Sequence, residues 1–215
     1  MSTTWFMRLL SPGMINRRHA ATGILAVLFL SLAAIIAAPG LMPGEYYWVS
    51  HSVSESAAQG LEGAWLARLG LVLFGLAVLW LAGAAARVWA RAAVWMHIGF
   101  GVMMVATAVF SHQPFLAGVP FDPVEDLLHS ITATVMGFAF SIGVFVRFLQ
   151  RRQGDVSGRV LDLVGLVSAI VIPLLMVIRP GIGGLVQRLM FLVGYVWYGY
   201  EAWGLSKVPE AAHSG

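Results

Sequence analysis

The stretch AWLARLGLVLFGLAVLWLAGAA, residues 64–85, decides the fold: its only charge is Arg68, and as a helix it is long enough to cross about 30 Å of hydrocarbon. Further runs of the same character lie at about residues 20–41, 88–110, 127–148, 160–178 and 185–203. The composition agrees, with 59% apolar and 11% charged residues where a soluble domain carries roughly 25% charged. The expected fold is therefore all-α: a polytopic membrane protein, a six-transmembrane-helix bundle forming one domain over residues 1–215, with connectors too short for a separate soluble domain. The absence of cysteine excludes disulfides, thiolate metal sites and a cysteine nucleophile.

Orientation follows from the arginines. Arg8, Arg17 and Arg18, then Arg87 and Arg91, then Arg147, Arg151, Arg152 and Arg159 fall in alternate connectors on one side. The other side carries Glu45, Glu55, Glu62, Asp122, Glu125 and Asp126, with Arg68, Arg179 and Arg188 its only basic residues. The positive-inside bias places both termini in the cytoplasm of a cell (plasma) membrane. The net charge of +3 is thus a topology signature, and no nucleic-acid partner is expected. A cleaved secretory leader is the rival reading of Arg17-Arg18 followed by an apolar run ending Ala37-Ala38-Pro39-Gly40, but the run exceeds the roughly 7–15 residues of a leader core. Tyr46, Tyr47, Trp48, Trp65 and Trp89 sit where amphipathic rings favour the headgroup level.

Chemistry concentrates in the two long loops of the acidic side, residues 46–56 (YYWVSHSVSES) and 111–130 (SHQPFLAGVPFDPVEDLLHS). Asp122 before Pro123 reads as the N-cap of the fourth helix, with Glu125 and Asp126 near the positive end of its dipole. Helical spacing puts Asp122, Asp126 and His129 on one stripe, with Glu125 four residues before His129. Imidazole beside carboxylate suits a divalent metal such as zinc, with His112, His129 and Asp126 as the candidate ligands and His51 nearby. A second reading makes Ser54 or Ser52 a nucleophile, His129 its base and Asp126 the orienting carboxylate. No HExxH or GxSxG pattern supports either. The bland reading is that these groups cap helices.

Arg68 and Arg188 stand inside spans, where a guanidinium is costly and seeks an acidic or phosphate partner: Glu55, Glu62, Asp126 or an anionic lipid head. His97 reads as a hydrogen-bonded packing residue, and His19 and His213 as solvated tail residues. Asp162 and Glu201 are expected to pair with Arg159 or Lys207. Gly70 with Gly75, and Ala133 with Gly137, would permit close helix approach. Pro173 lies inside the fifth span.

Residues 47–55 (YWVSHSVSE), Gly70 to Leu76, Gly99 to Phe110 with His112, residues 126–130 (DLLHS) and residues 184–188 (GLVQR) with Trp197 resemble the bacterial and archaeal membrane family known as domain of unknown function nine-nine-eight. The resemblance covers about residues 20–205 and implies a similar bundle with polar residues gathered on one face, but no activity. The chain departs from it at Phe110-Ser111-His112, where Phe-Pro is expected, and at Asp126, where a histidine is often found. The chemistry of the polar cluster is also similar to that of multi-span lipid hydrolases such as the alkaline ceramidases, although their Ser-x-x-x-His and paired late histidines are absent. Two functions follow as expectations. One is action on, or binding of, a lipid or lipid-linked group at the outer face, with Arg68, Arg188 and Glu55 holding the head and Asp126, His129 and Ser54 doing the chemistry. The other is a non-enzymatic binding, transport or assembly protein whose polar cluster is structural.

Overall fold

The computed structural model describes residues 17–207. Arg8 and His213 lie outside the described residues. Seven α-helices are present and no strand occurs among the described residues: α1 (Arg17–Ala37), α2 (Val53–Ser56), α3 (Ala64–Ala84), α4 (Arg91–Val109), α5 (Pro123–Gln150), α6 (Val156–Ile178) and α7 (Gly183–Ser206). Short 3-10 turns, Ala38–Leu41 and Pro180–Ile182, follow α1 and α6. Helices α1, α3, α4, α5 and α6 are each long and apolar enough to cross a membrane. At 24 residues α7 is as long, but it carries Gln187, Arg188, Tyr195, Tyr198 and Glu201 and is more polar.

The helix ends differ from the apolar runs for local reasons. α5 begins at Pro123 rather than Leu127 because the Asp122 carboxylate accepts from the Val124 N–H (2.8 Å), as its N-cap position predicts. α1 stops at Ala37, where Pro39 turns the chain. The third span starts at Arg91 rather than Val88, since Val88 and Trp89 close a turn onto the Ala85 carbonyl. The single turn α2 went unforeseen. It is fixed by a capping box in which Ser52 accepts from Glu55 N–H while the Glu55 carboxylate accepts from Ser52 N–H.

The six long helices close a ring in which α1 packs on α3, α3 on α4, α4 on α5, α5 on α6, α6 on α7 and α7 back on α1. Close crossings are set by missing Cβ atoms. A Cβ on Gly75 would sit 2.7 Å from the Gly101 carbonyl oxygen, and one on Gly70 would sit 2.7 Å from Ile35. Gly137 faces open space, so the Ala133–Gly137 pair marks no contact within the chain. The centre of the ring is aromatic, with Phe74 stacked on Tyr195 (4.3 Å between centroids) and Trp197 and Tyr198 fully buried beside His97. Outward, Phe29, Ile36, Phe138, Ile170 and Val177 are exposed, an apolar surface of the kind a bilayer solvates. Within the core, Ser31 lies 2.6 Å from both the Gly70 carbonyl, to which it donates, and the Tyr195 hydroxyl. His97 Nδ1 lies 2.9 Å from the Tyr198 hydroxyl, as its reading as a packing residue requires, while its Nε2 is buried without a partner among the described residues.

Candidate functional site

The two acidic-side loops meet over one end of the ring and are zipped together by Gln59. Its N–H donates to His112 O (2.9 Å), its side-chain amide to Ser111 O (2.9 Å) and Asp122 O (3.1 Å), and its carbonyl accepts from Asp122 N–H (2.7 Å). Gly60 follows at φ 68°, a left-handed turn that glycine adopts without a Cβ penalty. Gln59 was not foreseen; a single amide in an irregular loop carries no periodic signature. The Glu125 carboxylate, expected near His129, accepts from Ser111 N–H instead (2.7 Å). Beside it the Ser111 hydroxyl is buried with no partner among the described residues.

His112, Asp126 and His129 are brought together. Asp126 Oδ1 lies 2.5 Å from His112 Nδ1 and accepts from Gln113 N–H at 2.7 Å. The His112 ring stacks on His129 at 5.2 Å. His129 Nδ1 is within 3.1 Å of Thr107 O and 2.8 Å of Phe110 O. Carbonyls only accept, so His129 Nδ1 carries the proton, and the carboxylate orients a proton on His112 Nδ1 in the same way. In the neutral form of each ring it is Nε2 that carries the lone pair. The imidazole that Asp126 orients is thus His112, not His129: one helical turn aligns Asp126 and His129 on α5, but the loop returns His112 into the gap. Ser54, on α2, makes no hydrogen bond to any of the three among the described residues, so the expected serine triad is not assembled. The expected metal set fares no better, since no group of three or more His, Asp or Glu side chains among the described residues is arranged to hold an ion. The reason is visible in the bonding: His112 and Asp126 spend facing atoms on each other, and His129 is tied to the α4 terminus.

The arginines find carbonyls rather than acids. Arg68 donates through Nε to Ala57 O and through Nη2 to Ala58 O, both at 2.9 Å. Arg188 donates to Trp48 O (2.5 Å), His51 O (2.9 Å) and Gly184 O (3.0 Å), and to the Tyr46 hydroxyl (2.5 Å). An irregular loop leaves carbonyls without helical partners, and a forked guanidinium satisfies several at once. Burial raises the Tyr46 hydroxyl above its ordinary pKa against the opposing pull of Arg188. Glu55 closes its capping box through Oε2, and Gln187 accepts from Val53 N–H (2.6 Å). Next to Gln59, an open cleft of roughly 460 Å³ is lined by Arg68, Asp122, Glu125, Gly60, Pro120 and Phe121.

At the opposite end lies a second cluster. Arg151, 4% exposed, donates to Asp155, Asp162 and Glu201, and Arg147 donates to Glu201 at 2.9 Å. Trp197 Nε1 donates to Asp162 at 2.8 Å and the Tyr200 hydroxyl to Asp155 at 2.8 Å. Asp162 and Glu201 therefore pair with Arg151 and Arg147, not with Arg159 or Lys207. The latter two lie over the rings of Phe148 and Trp203. The charge pattern alone assigns Arg147 and Arg151 to a solvated rim. Their positions at the last turn of α5 instead place them against the polar faces of α6 and α7.

No curated protein and no solved structure matches the chain. A family model described as "Protein of unknown function (DUF998)" matches residues 13–204, nearly the whole length, and with the ring of apolar helices and its resemblance motifs in place the chain belongs to that family.

Proposed function

We propose that the protein spans a bacterial or archaeal plasma membrane six times with both termini in the cytoplasm, and that its outer rim binds an anionic lipid or lipid-linked head group and handles a proton there. The observation that carries this reading is adjacency: the open cleft with Arg68 shares Gln59 and Glu125 with the loop that presents the His112–Asp126 pair. Arg68 uses Nε and Nη2 on carbonyls and lines the cleft, and its Nη1 makes no hydrogen bond among the described residues, so a cationic donor remains for an anion there. In this proposal His112 is the base, Asp126 its orienting carboxylate and His129 the second imidazole behind it. Arg188, Glu55 and Ser54 are placed outside it. The alternative, a binding or assembly protein without chemistry, is favoured by the way Arg188, Glu55, Gln59 and Gln187 are consumed in holding the loops.

The test is native mass spectrometry of detergent-purified protein titrated with phosphatidylglycerol, with thermal melting in parallel. Retention of this lipid by the wild type and roughly tenfold weaker retention by Arg68→Gln, measured well below the lowered melting temperature that loss of the Ala57 and Ala58 carbonyl bonds should give the variant, support the cleft. Equal retention by both overturns it.

A further inference from the structure

α6 is fastened at one end. In its first half Gly158 and Asp162 are buried, Asp162 is bonded by Arg151 and Trp197, and a Cβ on Gly165 would lie 3.5 Å from Phe140 and Val144 of α5. Beyond Gly165 the one buried residue is Ile172, while Val167, Ile170, Val171, Leu174, Val177 and Ile178 are exposed. Apart from the turn that leads into α7, no hydrogen bond described for residues 165–182 reaches another helix or loop: Ser168 donates to Val164 O, Arg179 N–H to Leu175 O and Ile182 N–H to Arg179 O. The start of α7, by contrast, is pinned to the first loop through Gly184 N–H to Ser50 O (3.0 Å), Leu185 N–H to Val49 O (2.9 Å), Gln187 and Arg188. The α5–α6 contact is the smallest in the ring. Within the loose half stands Pro173, which has no N–H for the Ala169 carbonyl and so removes one rung from the helix.

We infer that the end of α6 beyond the missing Ala169–Pro173 rung swings as a lateral gate between α5 and α6, while the Arg151 clasp keeps the helix start still. Opening parts the seam toward the hydrocarbon, the route by which an apolar tail attached to a polar head would reach the interior. The hinge itself requires nothing of the rim chemistry. Hinge motion of this kind needs a fixed base, a weak joint and a segment with few contacts, and all three lie on one helix in this order.

The cysteine-free chain permits clean spin labelling in nanodiscs. One labelled pair, Ile131→Cys with Val177→Cys, both exposed, spans the far seam; a second, Leu149→Cys with Val160→Cys, spans the clasped end. Pulsed electron–electron distances should give a far-pair distribution roughly twice as wide as the near pair, narrowed to the near-pair width by Pro173→Ala. A far pair as narrow as the near pair, or a broad one unchanged by Pro173→Ala, overturns the hinge. Neither outcome bears on lipid retention by Arg68, so the two proposals fail separately.

Discussion

His112 Nδ1 lies 2.5 Å from Asp126 Oδ1, across the gap between the loop that ends α4 and the first turn of α5. The same oxygen accepts the Gln113 N–H, so one carboxylate both orients an imidazole and fixes the loop that carries it. Ring orientation and loop geometry are therefore coupled at Asp126.

Asp126→Ala strands the Gln113 N–H and the His112 ring proton. Partial exposure of both side chains, 28% for His112 and 22% for Asp126, lets water replace part of the loss. The expected destabilisation is about 1 kcal/mol, less than a fully buried hydrogen bond to a charged acceptor would cost. Asp126→Asn should be less harmful, because it keeps an acceptor oxygen. Thermal melting of the two variants in detergent checks the order; equal melting of Asp126→Ala and wild type contradicts it.

Arg151→Met removes the cation shared by Asp162 and Glu201, which are 0% and 4% exposed at their side chains. Leaving buried carboxylates unpaired should cost about 3–5 kcal/mol. The triple change Arg151→Met, Asp162→Leu, Glu201→Met should recover only part of that loss: the carboxylates no longer lie buried and unpaired, but the Trp197 indole N–H and Arg147 lose their acceptors. Denaturation midpoints of the single and triple variants measure this, and a triple variant no better than the single refutes it.

Gly143→Ala places a Cβ 2.8 Å from His97 Nε2 and 2.9 Å from Cε1, against a fully buried ring stacked on Trp197. Overpacking of this kind costs about 1–3 kcal/mol. The clash, not the glycine, should be responsible, so adding His97→Ala should make the Gly143→Ala step nearly neutral. A double-mutant cycle without coupling rules this out.

Asp155 caps α6 and lies below the ordinary carboxylate pKa: burial pushes it up, but the Tyr200 hydroxyl, the Gly158 N–H and Arg151 together pull it further down. A depressed folded value stabilises the protein above the unfolded pKa of about 3.9 and is lost as pH falls through the folded value. Wild type should thus lose stability on acidification more steeply than Asp155→Asn. Parallel melting curves from pH 6 to pH 3 decide it.

Glu62→Cys should react with an impermeant thiol reagent in intact cells, and Ser157→Cys should not. Both positions are exposed, unlike Ser52, which is buried in its capping box. Reaction of Ser157→Cys alone would invert the proposed topology.

Much of the bundle was legible because hydrocarbon imposes length and polarity rules on each helix separately. The run around Arg68, the Asp122–Pro123 start of α5 and the Gly70 and Gly75 crossings are local statements, and each holds. The partners of polar groups were not legible. Arg68 and Arg188 were expected to meet acids and meet loop carbonyls, and Asp162 was expected to meet Arg159 and meets Arg151.

The sequence by itself determined that this chain is a helical membrane protein and where its helices run, since burying backbone in lipid leaves few solutions and each is written in a contiguous apolar run. Only the tertiary structure decided that His112 rather than His129 faces Asp126, that Gln59 joins the loops, and that two arginines of the basic rim turn inward. Hydrogen-bond partners are chosen by which irregular segments arrive at the same place, and no period in the chain encodes that meeting.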